Sequence, residues 1–130
     1  MQFDIATICD AATTGGGKIN LLGSFDKIFV KDLPTVHSAC SLAIKIREKS
    51  SKPFPKKFAL KFLNEDDEEI QTGIEFEVSS SKKTHEKWSV GAFVFGILGL
   101  QLKKLGAYRI VIYADGKKVR EIYFDVVNAD

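Results

Sequence analysis

Cysteine and histidine are scarce in this chain, two of each among 130 residues, and their scarcity removes much familiar chemistry. A structural zinc site takes three or four ligands, usually in two close pairs. His37-x-x-Cys40 has ligand-like spacing, but only Cys9 and His85 remain to complete a set, so no metal is expected. A Cys–His nucleophile is not expected either, because nothing suggests an oxyanion hole. Both cysteines lie inside apolar runs, where cysteine behaves as a small hydrophobe, and reduced thiols fit a cytoplasmic protein. Long apolar runs are also missing. The longest, Trp88 to Leu102, is bounded by Lys87 and Lys103 and falls short of the ~20 residues of a membrane span. Met1-Gln2-Phe3-Asp4 has neither the basic start nor the apolar core of a secretory signal, and no amphipathic helix of ten residues can be drawn. A net charge of +2 is too small to imply nucleic acid by itself.

What the sequence does have is alternation. Cys40, Leu42, Ile44 and Ile46 alternate with Ser41, Ala43, Lys45 and Arg47; Phe58, Leu60 and Phe62 alternate with Lys57, Ala59 and Lys61. Ile74, Phe76 and Val78, then Tyr108, Ile110 and Ile112, then Ile122, Phe124 and Val126 keep the same rhythm. Period two with one oily and one charged face describes half-buried antiparallel strands. Turn signals stand between them at Gly15–Gly17, Leu33-Pro34, Lys52–Pro55, Asn64–Glu68, Ser79–Lys83 and Asp115-Gly116. Eight strands follow: 2–9, 18–30 with a bend, 39–48, 57–63, 69–78, 89–98, 107–114 and 118–127. At 45% hydrophobic and 28% charged, the chain reads as one domain over residues 1–130. The expected fold is all-β, an eight-stranded antiparallel, immunoglobulin-like sandwich.

Parity refines this reading. For Phe62 and Ile70 both to point inward, the intervening loop should be the three residues Glu65-Asp66-Asp67, with Lys57 facing Glu75. The same test at Asp115-Gly116 favours a three-residue loop with Gly116 left-handed over a two-residue loop. Gly23 divides two halves of opposite parity, so a bulge or bend there would let one strand serve both sheets. Leu105-Gly106-Ala107-Tyr108 has the form of a tyrosine corner, in which the ring packs inward and the hydroxyl bonds nearby backbone.

The opening DIATICDAATTGGGKINLLGSFDKI, the Leu33-Pro34 connection and the closing LGAYRIVIYADGKKVREIYFDVV together resemble a family of small bacterial proteins described only as a domain of unknown function. The resemblance implies a bacterial, cytoplasmic β-sandwich. It brings no catalytic residues, because the shared motifs are turns, a bent strand and a final hairpin.

Three stretches invite ligands, and each has a plainer explanation. TTGGGKIN lacks the first glycine of a phosphate loop, which would fall at Ala12, and Ile19 stands where a hydroxyl is needed for Mg²⁺. The dinucleotide pattern fails at Asn20, so a hairpin turn is the reading. The acidic run Asn64–Glu69 lacks the spacing and mid-loop glycine of a calcium loop. The basic stretches Lys45–Lys57 and Lys82, Lys83 and Lys87 lack interleaved aromatics for base stacking. No cofactor, no nucleic acid and no membrane are therefore expected.

Two surfaces remain. Val90 to Leu100 is apolar on both faces: either a central strand covered from outside, or a strand whose outer face meets a partner or a second copy, with Phe93, Val94 and Phe95 as contact residues. Sandwiches also bind sugars or ions at their loop ends, and Trp88, Tyr113 and Tyr123 could instead form an aromatic platform for such a ligand. No nucleophile–base pair or convergent carboxylates can be identified, so the chain is not expected to be an enzyme. The expectation is a non-catalytic interaction or structural module, with a ligand-binding sandwich as the alternative.

Overall fold

The alternation builds nine strands in the computed structural model, which describes residues 1–78 and 86–130. They are β1 (Gln2–Gly15), β2 (Lys18–Ser24), β3 (Lys27–Val30), β4 (Thr35–Lys49), β5 (Lys57–Leu63), β6 (Glu69–Glu77), β7 (Trp88–Leu102), β8 (Gly106–Ala114) and β9 (Lys117–Asn128). Two sheets form, in the orders β2-β1-β4-β7 and β3-β9-β8-β5-β6. Their facing sides share one buried cluster, including Leu42, Ile44 and Ile46 from β4 and Phe58, Leu60, Phe62, Ile110 and Ile112 from β5 and β8. Each such side chain contributes roughly 1.5–3 kcal/mol by leaving water. No helix among the described residues is long and apolar enough to cross a membrane. The expected turn at 79–83 and His85 lie outside the described residues.

The count is nine rather than eight because residues 18–30 form two strands. Gly23 adopts φ +69°, the chain bends, and β2 stays with the first sheet while β3 joins the second. There β3 runs parallel to β9, from Lys27 beside Asp125 to Val30 beside Asn128, so the sandwich is not wholly antiparallel. β1 also runs further than expected. After Cys9 it leaves β4 and continues with β2 as a two-stranded arm as far as Gly15 beside Lys18. Gly16 and Gly17 close that arm at φ +59° and +73°, the paired positive angles of a two-residue hairpin turn.

Both parity arguments were half met, and bulges explain the rest. Asn64 N–H bonds Glu68 O at 3.0 Å around the three-residue loop, and Leu63 faces Glu69. The register then shifts at Phe62 and again before Leu60, so Lys57 faces Glu77 rather than Glu75. At the final hairpin the loop has two residues, not three: Ala114 faces Lys117, with Asp115 and Gly116 at φ +48° and +83°. The parity that keeps Ile110 opposite Ile122 is restored by a register shift beside Tyr113, which leaves Val119 as the extra residue.

Tyr108 makes the expected corner. Its ring is 1% exposed, and its hydroxyl donates to Lys104 O at 2.6 Å. The corner anchors the three-residue crossing from β7 in one sheet to β8 in the other. Tyr108→Phe should keep the packing and lose that bond, lowering stability by about 1–2 kcal/mol in urea unfolding. An unchanged midpoint would show that the hydroxyl holds nothing.

Candidate functional site

β7 is the outer strand of the four-stranded sheet, not a central one. It pairs with β4 along its length, from Lys49 beside Trp88 to Thr35 beside Leu102. Among the described residues no strand occupies its other side. Every second residue of an edge strand turns its N–H and C=O outward, unpaired. Edges are ordinarily kept solitary by charge, proline or shortness. The second sheet follows that rule: β3 has four residues, and β6 carries Glu69, Glu75 and Glu77. β7 does not, because its fifteen residues, WSVGAFVFGILGLQL, include no charge and no proline.

Alternation divides the expected contact residues. Phe93 and Phe95 point between the sheets. Phe93 lies 5.7 Å from Phe58 and 5.4 Å from Phe76 between ring centroids, and Phe95 lies 4.9 Å from Phe76. Both rings are half-buried and pack against the core, so they lie on the inner face of the strand rather than on its outer face. Val94 has the opposite parity and faces outward beside Ala43. The rest of that outer face carries Val90, Ala92, Gly96 and Leu98 on β7, with Ala39, Ser41 and Ala43 and then the charged Lys45 and Arg47 beside them on β4. Leu98 is 81% exposed and Val90 50% exposed. Local composition does not reveal this place at the edge, since an uncharged run describes a doubly covered central strand equally well.

The aromatic trio is not gathered on one surface. Trp88 belongs to the four-stranded sheet, where Arg47 and Lys87 lie 5.5 and 6.0 Å from its ring. Tyr113 and Tyr123 are on the outer face of the other sheet, on β8 and β9. Lys61 sits 5.4 Å over the Tyr113 ring, and Tyr123 bonds the Glu121 carboxylate. Tyr113 borders an open groove of about 710 Å³ shared with Lys57, Lys61, Glu75 and Glu77.

The remaining candidates have structural roles. His37 stands opposite Leu100 and Cys40 opposite Ile97, both core residues, so the alternation skips at Ser38 and Ala39 and the two side chains share the inner face. His37 packs on Phe25 at 5.8 Å, and its buried Nε2 has no hydrogen-bond partner among the described residues. Cys9 and Cys40 are free and buried, and burial, followed by the nearby Cys9, pushes the Cys40 thiol up to about 11. Among the described residues no group of three or more potential metal ligands gathers. In the acidic loop Asn64 is buried and accepts N–H bonds from Asp66 and Glu68, both at 3.0 Å. Lys104 pairs with Asp66 and Glu68 at 2.5 and 3.0 Å, and Arg109 with Asp67 at 2.6 Å. The Lys104 ammonium, with Asn64, holds the Glu68 carboxyl below its ordinary range. These carboxylates are thus paired from within the chain, three of them sharing two cations.

The sequence model of a family of unknown function, DUF6941, matches residues 4–127, from the start of β1 almost to the end of β9. No curated protein matches the chain. With nearly the whole sandwich inside that match, the chain belongs to this family of unknown function.

Proposed function

We propose that the chain is a non-catalytic interaction module that takes a partner's strand onto the β7 edge. One observation carries this reading: a fifteen-residue edge strand without charge or proline, bearing the 81%-exposed Leu98 on its outer face. Strand addition supplies affinity through main-chain hydrogen bonds, and the outward side chains supply selectivity. The setting we propose is the bacterial cytoplasm, in keeping with two free buried thiols.

An immunoglobulin-like ancestry is part of the proposal. Strands β4 and β7 sit in one sheet and β5, β6, β8 and β9 in the other, as B and E stand against C, C′, F and G in such sandwiches. The tyrosine at the start of β8 falls at the E–F corner, where that fold has one. On this correspondence β1 is an added strand between the first strand and B. The alternative, a carbohydrate- or ion-binding sandwich, has the Tyr113 groove in its favour, but Lys61 already covers one face of the ring that a sugar would stack upon.

A photo-crosslinking amino acid at position 98, introduced into the chain in its native host, tests the edge. Adducts are expected from position 98 and not from position 123 on the opposite outer face. Adducts from 123 alone would favour the groove and overturn the edge reading.

A further inference from the structure

Resting on that edge reading, we infer that the partner strand on β7 carries an aromatic residue opposite Gly96 and an acidic residue opposite Ala92, four positions away on the same face. Gly96 carries the argument, because nothing within the chain asks for a glycine there. The other two glycines of β7 are explained from inside. A side chain at Gly91 would lie 2.9 Å from the Phe54 ring and 3.0 Å from the Phe93 ring, and Gly99 adopts φ +70°. At Gly96 φ is not positive, a side chain would meet nothing within 4 Å, and the register runs through Ser41 beside Gly96 without a bulge. A strand glycine that relieves neither strain nor crowding in its own chain marks a place where something else comes close.

Shape and charge give the ligand its chemistry. By alternation Gly96 faces outward, and the floor beside it is low: Ser41 is its partner on β4, with Ala39 and Ala43 to either side. Val94 and the exposed Leu98 flank it along β7. The result is a notch at a sheet edge, and an aromatic ring on a neighbouring strand fits over an edge glycine in this way. Two outward positions further along, Ala92 stands beside Lys45. Arg47 takes the nearby Asp4 carboxylate through three hydrogen bonds of 2.6 to 3.0 Å, and Lys45 has no ion pair among the described residues. Ala92 is too short to screen it, and a lysine and an acidic side chain together span the roughly 10 Å between second-neighbour strands. Length is set at Gly99, where the alternation reverses. The straight edge is therefore residues 90–98, about 30 Å long. That is the reach of a peptide segment rather than of a second domain, and its contact is weak and transient.

A phage-displayed library of random peptides, each matched in length to the straight edge and selected against the purified chain, tests the pairing. Selected peptides should carry an aromatic and an acidic residue four positions apart far above chance, and a synthetic one should bind in fluorescence anisotropy. Gly96→Val should weaken that peptide about fivefold, because the ring loses its notch, and the urea midpoint should not fall. Lys45→Glu should weaken it about two- to fivefold, the strength of an exposed ion pair, and should favour a peptide with lysine in place of the acid. Selected peptides without that spacing, binding untouched by Gly96→Val, a preference for the acid that survives Lys45→Glu, or a urea midpoint that drops on Gly96→Val would each overturn the inference. If no such peptide emerges while position 98 crosslinks to another protein, this inference fails and the edge reading stands. If position 98 crosslinks to nothing, the edge reading fails too.

Discussion

Phe58→Ala should lower stability by about 3–5 kcal/mol, a large part of the 5–15 kcal/mol that holds a domain of this size. Phe58 is 2% exposed on β5 and stacks on Phe76 at 5.2 Å, nearly parallel at 10°. Phe93 of the other sheet leans on both, so the ring joins the layers where β7 borders β6. Alanine would leave a void between the two sheets, and the rings of Phe76 and Phe93 would both lose contacts. Leu98→Ala is the matched control, changing stability by no more than about 0.5 kcal/mol. Urea midpoints at constant slope measure both. A cost below about 1 kcal/mol for Phe58→Ala would mean that the sheets are not joined there, and the orientation of Phe93 and Phe95 would need revision.

That orientation explains how far β7 was legible in advance. Its apolar character is written in the sequence, and so is the parity that separates Val94 from its phenylalanine neighbours. Which parity faces inward depends on Phe58 and Phe76, and whether the strand ends its sheet depends on β4, which pairs with it at separations of 39 to 67 residues along the chain. Neither is a local property. Where turns are local the reading held: the triple glycine closes a hairpin, Gly23 turns the chain from one sheet to the other, and Asn64–Glu68 encloses three residues. It failed where bulges intervene, because an extra residue at Val119 changes register without any signature such as a glycine or proline. The aromatic trio was misjudged for a similar reason. Tyrosines on β8 and β9 and a tryptophan on β7 share amphipathic character, but sheet membership, fixed by long-range pairing, separates them.

Gly106→Ala should cost about 1–3 kcal/mol, and nearly all of it through the backbone. Gly106 adopts φ +131°, a conformation that L side chains rarely enter, as the chain starts β8 two residues before the Tyr108 corner. A Cβ there would also lie 2.6 Å from the Glu65 carboxylate, but that is the far end of an exposed side chain and can swing into water. Adding Glu65→Ala therefore separates the two causes: it should recover less than half of the loss if the dihedral angle dominates. Gly15→Ala provides the comparison, since Gly15 lies at the end of β1 with open space around it and no positive φ. It should be neutral or gain up to about 1 kcal/mol. The consequence for β7 follows from connectivity. Only Lys103, Lys104 and Leu105 join β7 to β8, and Lys104 is the residue that the Tyr108 hydroxyl holds. Straining Gly106 should loosen that corner, so amide exchange at Leu100 and Leu102 should accelerate more than at Phe93 and Val94. Uniform acceleration along β7 would show that the corner does not fix the end of the edge strand.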